Sequence, residues 1–165
     1  MNAADILPAR YGSSEKYSKF LPHRGERFIL TAYEIAVKEA QPWTIMCMYN
    51  RLNGIYGAEN KWLLTDVLRK DFGFEGMIVT DWGAENERVP GLLAGQNLEM
   101  PTSNGVGNQK IYDAVKSGEI SEDFLDEMVD GVVDVIRRAR AGHAIRCIRW
   151  MWPSHLSAQP APCIW

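Results

Sequence analysis

The chain has 165 residues, 46% of them hydrophobic and 24% charged, with a net charge of -3. That is enough for one compact domain with a real core, and the composition is ordinary for a folded domain. The net acidity and the lack of a long basic stripe argue against nucleic acid as a partner, although the stretch after Arg137 is locally basic. No apolar run reaches the length of a membrane span.

The first residues, Met1-Asn2-Ala3-Ala4-Asp5-Ile6-Leu7-Pro8, lack a basic start followed by an apolar core, so no signal peptide is expected. Cys47, Cys147 and Cys163 are odd in number and far apart. They imply no disulfide framework and point to a reducing, cytoplasmic compartment. Residues 1–25 mix Pro8, Gly12, Ser13, Ser14 and Pro22 with scattered charges and have no clear period.

From Glu26 the pattern changes. Ile29, Tyr33, Val37 and Ala40, with Ala36 beside them, recur at helical spacing, and Lys38 and Glu39 face away. The spacing predicts a helix over 26–40, stopped at Gln41-Pro42 because the residue before proline disfavours the α region. The run Trp43 to Asn50 is nearly all apolar and ends in polar groups, so it reads as a buried strand. Asn53-Gly54 and Tyr56-Gly57 mark a long loop. Asn60 caps a helix from Lys61 to Asp71, whose apolar face is Trp62, Leu63, Leu64, Val67 and Leu68, and Gly73 ends it.

A second strand follows at 77–80, giving a strand–helix–strand unit of parallel type. Residues 85–94 read as a helix interrupted by Pro90 and Gly91, and 97–101 as a short third strand. Residues 109–116 form a helix ending at Gly118. Ser121 caps a longer one, with Glu122 and Asp123 in its first turn and a stripe of Phe124, Met128, Val132 and Val135. From residue 141 to 165 there is again no period. The fold class is therefore α/β, with the ordered part over 26–140 and unmatched segments at 1–25 and 141–165.

Few side chains suggest chemistry. His23, His143 and His155 lie far from one another and from any cysteine at ligand spacing, which argues against a metal site. Cys47 sits inside an apolar strand and reads as a structural thiol. Gly105-Val106-Gly107 precedes a helix but lacks the third glycine of a dinucleotide fingerprint, so no cofactor is implied.

The carboxylates remain. Asp81 and Glu99 stand at or near strand ends, while Glu59, Asp66 and Asp71 read as solvated surface groups. In parallel sheets ligands bind beyond the carboxyl ends of the strands. Asp81 is thus either a pocket carboxylate or the cap of the next helix. Trp82 is either a wall on which a sugar stacks or plain core. Tyr49 shares the Asp81 rim, as a hydrogen-bonding phenol or as a core aromatic with its tip in water.

Four segments share a family pattern. Met46-Cys47-Met48-Tyr49-Asn50-Arg51-Leu52-Asn53-Gly54 resembles the Met-Cys-Ser-Tyr-Asn-x-x-Asn-Gly segment of glycoside hydrolase family 3. Residues 60–69 resemble its following helix. Gly73 to Ala84, with Val79-Thr80-Asp81-Trp82-Gly83 at its heart, and Gly95 to Pro101 resemble its next two motifs, in the right order. Bacterial β-glucosidases of the family are the nearest likeness. The likeness runs from about Glu26 to about Arg137.

The resemblance implies a partial (β/α)8 TIM-type barrel, the βα units around the nucleophile strand. It implies that Asp81 is the nucleophile of a retaining β-glucosidase, with Tyr49 beside it and Trp82 and Met46 lining the sugar pocket. The partner is then a β-glucoside or oligosaccharide. Retention needs a second carboxyl about 5 to 5.5 Å away, first acid and then base. In the family that residue comes from a later domain, and the upstream sugar-gripping residues also find no match here. Gln96-Asn97 replaces the family's Leu-Asp. The expectation is a truncated chain that is inactive alone. The alternative is a non-catalytic α/β domain that binds sugar or a partner chain.

Overall fold

A computed structural model describes residues 24–141, with the side chains of 30–141. The expectations for residues 1–23 and 142–165, including the three histidines, Cys147 and Cys163, lie outside the described residues.

Helix α1 spans Arg24–Ala40 and ends where Gln41 takes φ +44 before Pro42. Its inward face is Leu30, Glu34 and Val37, one to two turns apart. Tyr33, expected inside, is 43% exposed. The stripe is rotated because Glu34 takes an inward position, with its carboxylate paired to Lys38 one turn on. Periodicity alone counts any glutamate as outward.

Strand β1 covers only Thr44–Met46, shorter than the apolar run suggests. Its contact with the neighbouring strand runs one residue further, Cys47 N–H donating to Val79 O at 2.8 Å. The chain then leaves the sheet for a small hairpin of β2 (Arg51–Leu52) and β3 (Ile55–Tyr56). The expected long loop is therefore partly a hairpin. Asn53 and Gly54 take φ +52 and +85, as a two-residue turn between twisted strands requires.

Helix α2 (Trp62–Asp71) is wound with hydrogen bonds that reach five residues back, as from Phe72 N–H to Val67 O at 2.9 Å. Asn60 caps it, its Oδ1 accepting from Leu63 N–H at 3.1 Å. Leu64, Val67 and Leu68 are buried and Trp62 and Leu63 half-buried, so the expected face is the observed one.

Strand β4 (Met77–Val79) lies parallel to β1, with Ile45 opposite Ile78. Gly76 precedes it because any Cβ there would collide with the Trp43 carbonyl of the incoming neighbour. On its other side β4 takes a parallel bridge from Leu98, through Thr80 N–H to Leu98 O and Leu98 N–H to Ile78 O. The expected third strand is thus reduced to one bridge. β1, β4 and Leu98 follow one another across the sheet, with α2 and then α3 (Arg88–Leu93) between them in sequence. This is a partial (β/α)8 barrel, of which a whole copy takes about 250 residues.

Helix α3 begins three residues later than expected, at Arg88, since residues 84–87 stay irregular. Pro90 falls in its first turn, where the missing N–H has no helical partner to lose. Helices α4 (Val106–Ser117) and α5 (Glu122–Ala141) close the described part. Ser121 caps α5, its Oγ accepting from Phe124 N–H at 3.2 Å. Of the predicted α5 stripe only Met128 is buried. One core joins α1, α2, β1 and β4; a second joins α3, α4 and α5 through Leu92, Ala114, Ile120 and Met128.

Candidate active site at the carboxyl ends of the parallel strands

Asp81 stands two residues past the end of β4, where the apolar run has stopped and the chain emerges from the sheet. Its Oδ1 accepts from the backbone N–H of Trp82 at 2.7 Å, which fixes the carboxylate against its own turn. Ala84 N–H closes that turn on Asp81 O at 3.0 Å. The side chain does not cap the next helix. The two amides just ahead of α3 are taken up by Glu59, whose Oε1 accepts from Asn86 N–H at 2.9 Å and Glu87 N–H at 2.8 Å. Glu59 was expected to be a solvated loop group. Nothing in its sequence neighbourhood signals a bond to residues 27 and 28 positions away.

Tyr49 comes from the segment after β1, on the same rim. Its phenol donates to Trp82 O at 2.8 Å. Reduced hydration pushes the phenol pKa upward, and the neighbouring Asp81 carboxylate adds to the rise. Tyr49 is 51% exposed and Trp82 54%, so neither is a core aromatic. Two exposed aromatic surfaces therefore flank one half-exposed carboxylate. Met46 stands apart from these hydrogen bonds. It lines an apolar cavity of about 420 Å³ with Leu30, Tyr33, Leu64 and Val67, between β1 and helices α1 and α2.

The rim is held from the far side by Thr80. Its Oγ1 accepts from Met100 N–H at 2.7 Å and donates to Met100 O at 2.9 Å, while Gly83 N–H reaches the same carbonyl at 3.2 Å. Glu99 is engaged as a structural group. It accepts from Ser103 Oγ at 3.1 Å, and Ser103 in turn accepts from Gly107 N–H in the first turn of α4. Beside it Glu85 is buried, with Arg88 Nη1 at 3.3 Å from its Oε1. Burial pushes the Glu85 carboxyl up to about 7.

A carboxylate at the mouth of a parallel strand, flanked by exposed aromatic rings on a partial (β/α)8 frame, has the layout of a barrel hydrolase site. The chain belongs to glycosyl hydrolase family 3: residues 22–135 match the family's "Glycosyl hydrolase family 3 N terminal domain". It is 52% identical over 105 residues to thermostable beta-glucosidase B of Acetivibrio thermocellus, covering 64% of this chain and 14% of that protein. It is 45% identical over 138 residues to an exo-alpha-(1->6)-L-arabinopyranosidase of Bifidobacterium breve, covering 84% of this chain and 18% of the relative.

Among solved structures, the GH3 beta-glucosidase of Bifidobacterium adolescentis superposes with a TM-score of 0.65 at 50% identity, over 70% of this chain and 17% of the other. Beta-glucosidase 3B of Thermotoga neapolitana, solved in complex with glucose, superposes at 0.62 with 42% identity, over 65% of this chain and 16% of the other. The chain thus spans under a fifth of the length of the relatives it matches.

Proposed function

We propose that this chain carries the nucleophile part of a retaining glycosidase site, acting on terminal β-D-glucosyl residues with Asp81 as the attacking group. The observation that carries the reading is the Asp81 carboxylate, open to solvent at the end of β4, oriented by Trp82 N–H and bordered by Tyr49. One carboxylate oxygen is tied to the backbone, which leaves the other to approach an anomeric carbon. The bond from that carbon to the leaving oxygen breaks as the Asp81 ester forms, and water then releases the sugar. The exposed Trp82 ring suits the apolar face of a pyranose.

The relatives include both beta-glucosidases and an arabinopyranosidase. β-D-glucopyranosides and α-L-arabinopyranosides both carry an equatorial glycosidic bond in their common chair, so a nucleophile on one face serves either. Glu99 is engaged by Ser103 and the Glu85 side chain is buried, and neither is assigned as the acid. We therefore expect slow or no turnover of natural glucosides by this chain.

The fair test is an activated donor whose leaving group needs no proton. Incubated with a dinitrophenyl glucoside, the full chain should gain the mass of one glycosyl unit on the peptide containing Asp81. Asp81→Ala should remove the gain. Brisk cellobiose hydrolysis would show that the acid lies within this chain, and labelling that persists in Asp81→Ala would show that the nucleophile is another residue. Binding of glucose without any labelling would favour a sugar-binding domain.

A further inference from the structure

Four residues beyond Asp81 the chain buries a second carboxyl. The Glu85 side chain is 6% exposed. Its Oε1 has only the long contact to Arg88, and its Oε2 has no hydrogen-bond partner among the described residues. Next to it lies Gln96, fully buried, whose Oε1 also lacks a partner there. The two groups meet over Gly91, where a Cβ would collide with both Glu85 Oε1 and Gln96 Oε1.

Buried acceptors set against each other without a donor are costly. Turning the Gln96 amide over does not relieve them. Its Nε2 already donates to Leu98 O at 3.3 Å, and the flipped amide would set two carbonyl oxygens face to face. A proton on Glu85 supplies the donor that Gln96 Oε1 lacks.

We propose that Glu85 is held as a neutral carboxylic acid that donates its proton to Gln96 Oε1, and that this bond clamps the Asp81–Ala84 turn to the third strand. Glu85 is then a positioning residue for Asp81 and Trp82, whatever sugar Asp81 meets. Burial disfavours the anion most and the charge of Glu99 adds to it, while Arg88 and the Gln96 amide pull the other way. Arg88 is itself shared, with Nε at 3.8 Å from Glu99. On the remaining sides Lys110 of α4 and the Cys47 thiol beyond β1 feel the Glu85 charge. Loss of the proton puts a second anion beside Glu99 and two acceptors against each other, and the clamp opens.

The test is a titration of the full chain labelled with carbon-13 at its glutamate carboxyls, the Glu85 signal being the one absent from Glu85→Gln. It should titrate near 7. The Trp82 indole N–H, identified through Trp82→Phe, should shift with the same midpoint. In Glu85→Gln the side-chain amide still donates to Gln96, so Trp82 should keep its low-pH position throughout. In Glu85→Leu it should hold the high-pH position at every pH; should that variant not fold, the Gln variant decides alone. A Glu85 signal titrating in the ordinary carboxylate range overturns the proposal, as does a Trp82 step that persists in Glu85→Gln.

Discussion

Arg69 Nη2 donates to Asn97 Oδ1 at 2.8 Å, joining helix α2 to the third strand across 28 positions. The same oxygen accepts from Ile78 N–H at 2.8 Å, and Asn97 Nδ2 donates to Met128 O at 2.8 Å. Arg69 reaches on to Gly76 O and Gly95 O. One amide thus binds α2, β4 and α5. A carboxylate here, as in the family's usual Leu-Asp, accepts from Arg69 and Ile78 but cannot donate to Met128.

Asn97→Ala leaves the buried Ile78 N–H and Met128 carbonyl unpaired, and should cost about 2 to 4 kcal/mol. Asn97→Asp should cost less, because a charged partner strengthens the Arg69 bond while one donor is lost. Urea unfolding midpoints measure both. An alanine variant as stable as the parent would contradict the account.

The Tyr49 phenol should ionise above the pH of free tyrosine, for the reasons given by its contacts. The ultraviolet difference titration between the parent and Tyr49→Phe isolates its signal. Asp81→Asn should bring the midpoint part of the way back, since it removes the charge but leaves the partial desolvation. A midpoint unmoved by Asp81→Asn would separate the two residues.

Cys47 should be inert in the folded chain. Burial pushes its thiol up to about 12, helped by the Glu85 charge, so almost no thiolate exists near neutrality. Iodoacetamide at mildly alkaline pH should leave the Cys47 peptide unmodified until urea is added. Prompt alkylation without urea would show that the β1 edge opens readily.

Folding stability should fall between acid and neutral pH. The Glu85 carboxyl in the folded chain titrates at about 7 against an ordinary 4.5, so between those values the folded state holds a proton that the unfolded chain has released. Its contribution is full below 4.5 and is lost as pH rises through 7. The melting temperature should drop more from pH 5 to pH 8 in the parent than in Glu85→Gln. Equal drops would assign the pH dependence to other groups.

The sequence made the rim legible and its supports much less so. Met77 to Val79 followed by Asp81 and Trp82 is a buried strand meeting a polar end, a pattern local enough to read without contacts. Helices α2 and α5 were legible through Asn60 and Ser121, whose capping bonds span three residues. The hairpin had a local signal too, since Asn53-Gly54 is the turn that two-residue connections favour, but the strands beside it are only two residues each. Glu59 and Glu85 were not legible. Each sits among polar neighbours that look solvated, and only tertiary packing gives the first two backbone amides and buries the second. The third strand likewise shrank to one bridge because Asn97 and Thr80 side chains do the tying that a longer ladder would do.

Thr80 both receives and returns a hydrogen bond with Met100, and Gly83 shares that carbonyl. These bonds close a ring through two segments, so none breaks without loosening the rest. In hydrogen exchange the Met100 and Gly83 amides should therefore open together, as one unit with a common free energy, rather than fray one by one like a loop. The rim that presents Asp81 would then be either fully set or fully undone, with no half-formed state between.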